Sequence, residues 1–199
     1  MPTQPLKIYI DSCAVNILHE HSVDLTAEFP KANYELIITK GVQQEIQDIP
    51  EDNPVKAFAL SLIADQRISE ASFFGFRDAK NPENNLRYTS GFGSGILATS
   101  EQMKYLEETQ KNLGTPRKSK LRKNETDRDL LALSLGSVIL TSENKVGGAL
   151  QAEAEKIGTI VINIAKWPSS EISLNEYVMF VIEKSVGATW SSPETRSLT

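Results

Sequence analysis

Lys7-Ile8-Tyr9-Ile10-Asp11-Ser12-Cys13-Ala14-Val15-Asn16-Ile17-Leu18-His19 opens as a short apolar run, stops on an acid and passes into a helix. Residues 7–11 read as a buried strand and residues 14–19 as the helix after it. The same succession recurs along the chain. Strands are expected at 35–39, 67–74, 137–141 and 159–164, the last rich in β-branched residues. Helices are expected at 41–49, where Pro50 stops the run, and at 53–65, with Val55, Phe58, Ala59 and Leu62 on the apolar side. Further helices are expected at 100–111, at 124–135 with Asn124 or Thr126 as cap, at 145–156 and at 173–184. Strands alternating with helices are the signature of an α/β fold.

A chain of 199 residues suits one domain, placed at 1–186, with a polar tail at 187–199. Its 40% hydrophobic and 24% charged content belongs to the ordinary globular class. No apolar run has the length of a membrane span. The start, Met1-Pro2-Thr3-Gln4-Pro5-Leu6-Lys7, lacks the apolar core of a secretion signal. A single cysteine, Cys13, can form neither an intramolecular disulfide nor a zinc ribbon. These features together lead us to expect a cytoplasmic protein without membrane contact.

The net charge of −5 argues against a protein that coats nucleic acid without selection. One local patch runs the other way: Arg117, Lys118, Lys120, Arg122 and Lys123 lie within seven positions. They could hold phosphates, and equally they could form a solvated loop. The patch ends a segment, 75–123, too long for a simple connection. We read that segment as an insertion at the mouth of the site. It includes Gly91-Phe92-Gly93-Ser94-Gly95, which reads as a flap and not as a nucleotide loop. Phe73, Phe74, Phe76 and Tyr88 either stack on bases or pack the insertion onto the body. His19 and His21 have no partner arrangement and receive no catalytic role.

Four acids stand just past an apolar run or on a helix next to one: Asp11, Glu45, Asp127 and Glu143. Taken singly, each is as readily a turn residue, a cap or a solvated helix residue. Together, at the carboxyl ends of strands in one open sheet, they would converge where such folds place their sites. Clustered carboxylates cannot all stay ionised without compensation. All-oxygen sets of this kind suit Mg²⁺ or Mn²⁺, opening metal-assisted or two-metal hydrolysis. Ser12 and Thr141 are supporting candidates that would orient the acids, or else plain backbone caps.

Four fragments carry a resemblance to the PIN-domain nucleases. They are Ile8-Tyr9-Ile10-Asp11-Ser12, Ile38-Thr39-Lys40-Gly41-Val42-Gln43-Gln44-Glu45-Ile46, Thr126-Asp127 before Leu130-Leu131-Ala132-Leu133, and Leu140-Thr141-Ser142-Glu143. The second and third are most similar to the PIN domain of the ribosomal-RNA maturation endonuclease, whose zinc ribbon this chain lacks. The resemblance implies a three-layer α/β/α sandwich around a parallel sheet, and cleavage of RNA with Mg²⁺ or Mn²⁺. It implies Asp11, Glu45, Asp127 and Glu143 as catalytic and metal-binding acids, with Asp129 as an auxiliary ligand. Glu143 departs from the family, which has Asp at that position. An antitoxin or a second copy of the chain would be partners in keeping with such a family. Two alternatives stand beside this reading. One is a PIN-like module that binds RNA or protein without cutting. The other is a phospho-accepting receiver, suggested by Asp11, Thr141 and Lys166-Trp167-Pro168 but lacking an acid at Ile10 and an acceptor Asp on a middle strand.

Overall fold

The computed structural model describes residues 4–65, 68–74, 90, 95–115, 124–143 and 149–186. Five strands form one sheet: β1 (Leu6–Ile10), β2 (Tyr34–Thr39), β3 (Ser69–Ala71), β4 (Val138–Thr141) and β5 (Ile160–Asn163). Every pairing is parallel and the order across the sheet is β3-β2-β1-β4-β5. The central strand β1 sets Ile8 beside Leu36 of β2 and beside Val138 of β4.

Alternation along the strands divides the core in two. Ile8, Ile10, Leu36, Ile38, Val138, Leu140 and Ile162 face one cluster, whereas Tyr9, Ile37 and Ile139 face the other. Helices α1 (Ala14–Glu20), α2 (Leu25–Glu28), α3 (Lys40–Gln47), α4 (Pro54–Ala64) and α8 (Leu174–Val186) cover the first face. Helices α5 (Ser100–Thr109), α6 (Glu125–Leu133) and α7 (Ala149–Lys156) cover the second. A parallel sheet covered on both faces is the three-layer α/β/α sandwich. Among the described residues, no helix is long and apolar enough to cross a membrane.

Local chemistry explains most of the helix starts. The Thr39 hydroxyl accepts from the Val42 amide, the Asn53 side chain caps α4 ahead of Pro54, and Thr99 and Gln102 form a reciprocal capping box on α5. The start of α6 departs from expectation. Asn124 occupies the cap position with φ +65° and makes no side-chain cap, its amide donating instead to the Asn112 carbonyl. Thr126 lies inside the helix.

The segment expected to be an insertion contributes to the body. Gln102, Tyr105, Leu106 and Thr109 of α5 are buried, and the Gln102 amide donates to the Ala132 carbonyl of α6 at 2.9 Å. Phe73 is buried beside Tyr105 and bridges to Ile96, so it packs the segment onto the sheet. The third strand is shorter than the expected 67–74, with isolated bridges Phe73–Ile96 and Phe74–Ser90 beyond its end. The Gly91–Ser94 part of the expected flap, the basic residues Arg117, Lys118, Lys120, Arg122 and Lys123, the aromatics Phe76 and Tyr88, and the tail 187–199 lie outside the described residues.

Candidate active site

The chain places β1, then β2 and β3 to one side, then returns to the other side of β1 for β4 and β5. Strand order therefore reverses between β1 and β4, and the crevice at their carboxyl ends is where ligands bind in such sheets. Asp11 follows β1 at this point and is 8% exposed. Its amide donates to the Leu140 carbonyl, extending the β1–β4 ladder by one step. Its Oδ2 accepts from the Thr141 hydroxyl at 2.8 Å and from the Cys13 thiol at 2.8 Å. Neither bond uses Oδ1.

Glu45 is brought to the same edge by the side chain next in sequence to Asp11. The Ser12 hydroxyl donates to Glu45 Oε2 at 2.6 Å, joining the end of β1 to the first turns of α3. The Asp11 and Glu45 carboxylates are thus attached to adjacent backbone positions, one directly and one through a hydroxyl. Among the sequence-stated candidates, Asp11, Ser12, Glu45 and Thr141 form one connected set.

Asp127 follows Thr126, which packs against the start of α3, but lines a cleft with Tyr105, Leu131 and Glu153 and is not part of the connected set. A Cβ on Gly41 of α3 would lie in van der Waals contact with Thr126 Cγ2 at 3.4 Å. Asp127 itself is exposed in the first turn of α6. The start of a helix favours a carboxylate through the local dipole. Asp129 is turned elsewhere: it is buried, and its Oδ1 accepts from Arg128 Nε at 3.1 Å and Nη2 at 2.9 Å. Arg128 also donates to Gln110 at 2.7 Å. Burial outweighs the attraction of Arg128 and pushes the Asp129 carboxyl up to about 6.

Glu143 is exposed just past β4. Its amide donates to the Thr141 hydroxyl at 3.2 Å and its carbonyl accepts from Asn163 of β5 at 2.8 Å. The backbone at Glu143 is therefore fixed to the same hydroxyl that holds Asp11. No family model and no curated protein matches the sequence.

Two residues of this set are not candidates from sequence. The Cys13 thiol lies 3.1 Å from the Thr141 hydroxyl and accepts from the Ser142 amide, while the Ser142 hydroxyl donates to the Cys13 carbonyl at 2.7 Å. Burial, and then the charge of Asp11, push the Cys13 thiol up to about 11, so it remains a protonated donor. The only available signal was its position two residues after Asp11.

These donors fit a hard divalent cation in one respect. The groups offered at the crevice are carboxylate oxygens, and the lone sulfur is a protonated donor directed onto Asp11. Mg²⁺ retains several waters and is commonly held by one or two carboxylates together with substrate phosphate. Asp11 and Glu45 are suited to that part. Among the described residues, no three His, Cys, Asp or Glu side chains are gathered as a ready-made metal cage.

His19 and His21 serve packing. The first lies edge-on to Phe58 at 5.4 Å and the second edge-on to Trp167 at 5.3 Å.

Proposed function

We propose that the chain is a metal-dependent phosphodiester hydrolase acting on RNA. The observation that carries this reading is the Asp11–Ser12–Glu45 connection at the reversal of strand order. Asp11 and Glu45 would hold Mg²⁺ or Mn²⁺, with Asp127 and Glu143 closing on the bound substrate. Such an ion supplies Lewis acidity that activates water and neutralises phosphate charge.

The chain's own residues set the stage for that chemistry. Thr141 and Cys13 hold Oδ2 of Asp11, which leaves Oδ1 for the cation. Ser12 fixes one oxygen of Glu45 in the same way. Thr141 further accepts from the Glu143 amide, coupling the turn after β4 to Asp11. Positioning groups of this kind are worth about 10–100-fold in metal affinity or activity. The order β3-β2-β1-β4-β5 also counts against the receiver alternative, whose fold runs 2-1-3-4-5.

The test is cleavage of labelled single-stranded and structured RNA with Mg²⁺ or Mn²⁺. Cleavage should appear, cease in EDTA, and be abolished in Asp11→Asn and Asp127→Asn variants that remain folded. Glu143→Gln should reduce it less, since Glu143 stands where the resembled family has Asp and its longer arm holds a cation less directly. The non-cutting module is favoured by one observation, the engagement of Asp129 with Arg128 in place of the crevice. Mn²⁺ binding without cleavage of any RNA would establish that alternative.

A further inference from the structure

Asn163 closes β5 beside Thr141 of β4, its partner in the parallel ladder. It therefore stands one strand away from the hydroxyl that holds Asp11. Strand β5 runs through Ile160-Val161-Ile162 and ends where Asn163 leads the chain into a single 3-10 turn, Ile164–Lys166. Asn163 Oδ1 accepts from the Ala165 amide at 2.9 Å, as a capping side chain does. Its Nδ2 makes a bond that capping does not require, donating to the main-chain carbonyl of Glu143 at 2.8 Å. These partners fix which way the amide faces, because a carbonyl only accepts and a backbone N–H only donates. Asp would cap equally well but has no donor, and Ser would cap equally well but has one short oxygen. Behind Asn163, the Tyr177 hydroxyl of α8 donates to its main-chain carbonyl at 3.2 Å. Glu143 is thus held at both main-chain groups, its amide on Thr141 and its carbonyl on Asn163.

We propose that Asn163 is a positioning residue of the candidate site, holding Glu143 at the carboxyl end of β4 through its main-chain carbonyl. The proposal rests on the hydrolase reading above and adds to it the residue that places its fourth acid. The long side chain of a glutamate already brings rotational freedom of its own. Fixing the peptide groups on both sides of that side chain removes the backbone share of the freedom, so the carboxylate is offered from one place. The brace reaches back into the fold. It passes from the turn after β4 through Asn163 to Tyr177 on α8, a helix seated in the core by Leu174, Val178 and Ile182. A residue that served only to cap the turn after β5 would need Oδ1 alone, and a variant that keeps the cap separates the two roles.

The test uses Asn163→Ser in the full chain. Ser keeps an oxygen for the Ala165 amide and is too short to reach the Glu143 carbonyl. Backbone relaxation measured by NMR in EDTA should give Glu143 an order parameter of about 0.85 in the wild type and below about 0.6 in the variant, with Ile139 and Leu140 of β4 unchanged. With Mn²⁺ and labelled RNA, kcat/KM should fall about tenfold, and by no more than Glu143→Gln costs. In a Glu143→Gln background the same substitution should change kcat/KM by less than about twofold, because nothing is left for Asn163 to place. Tyr177→Phe removes only the hydroxyl behind Asn163 and should move both readouts the same way by less, which keeps the test open if Asn163→Ser does not fold. An order parameter unchanged in the folded variants overturns the proposal. So does an equal loss of activity in the wild-type and Glu143→Gln backgrounds, which is what a general structural role produces. A wild type that cleaves no RNA defeats the hydrolase reading, and a fall in the order parameter then leaves the Glu143 anchor standing. Cleavage by the wild type with full activity in Asn163→Ser defeats the positioning role alone.

Discussion

Thr141 touches more of the candidate site than any other hydroxyl. It donates to Asp11 Oδ2, accepts from the Glu143 amide and lies against the Cys13 thiol. Thr141→Val keeps the shape and removes all three interactions, leaving a buried carboxylate short of a donor. Stability should fall by about 1–3 kcal/mol, read as a lower urea midpoint. RNA cleavage should fall by about 10–100-fold. Asp129 carries a second prediction. Its carboxyl is pushed up to about 6 from an ordinary 3.8, so between those values the folded state binds its proton more tightly than the unfolded chain. The stability penalty of burying the charge is present above pH 6 and is relieved as pH falls toward 3.8. Relative to Asp129→Asn, the wild type should therefore gain stability on acidification across that window. The reverse trend would mean that the Arg128 pair, and not burial, governs the group. The acids were legible in sequence because each follows or adjoins an apolar run. Cys13 and Ser142 were not, since their contact joins two loops 129 positions apart and leaves no periodic trace.

Helices α3 and α6 meet at their first turns, Gly41 of the one facing Thr126 of the other. A Cβ at Gly41 would lie 3.4 Å from Thr126 Cγ2. Gly41→Val places a branched side chain against Thr126 and should wedge the two helices apart. We expect a loss of about 1–3 kcal/mol from overpacking, together with reduced cleavage. A variant of full stability and full activity would show that the contact does not position Asp127. On the opposite side of α6, α5 is held by its capping box. Thr99→Ala should cost about 1 kcal/mol in thermal or urea unfolding. Elements with sustained patterns were readable from sequence to within a few residues, as for the expected 53–65 against Pro54–Ala64. Helix α2 (Leu25–Glu28) was not, because one turn capped by Asp24 is too short to show a period. The short β3 and the role of α5 depend on pairing and packing with distant segments, which local pattern does not encode.

The whole molecule puts Asp11 and Glu45 at the crevice where its winding reverses. Asp11 and Glu45 are joined through Ser12, so one cation can draw on both. A site built for a cation should therefore be less stable empty than filled. Binding stabilises by RT ln(1 + [L]/Kd), about 2.7 kcal/mol when Mn²⁺ stands at a hundred times its Kd. For a domain of this size each kcal/mol moves Tm by roughly 2–4 °C, so Mn²⁺ should raise it by roughly 5–10 °C. Asp11→Asn should behave differently under the two conditions. In EDTA it should melt close to the wild type, because Asn retains an oxygen that can accept from Thr141. In Mn²⁺ it should melt well below the wild type, because the cation has lost its principal anchor. The divergence of the two curves separates a cation site from a structural carboxylate: a structural Asp11 would make the variant less stable in both solutions, by amounts independent of Mn²⁺.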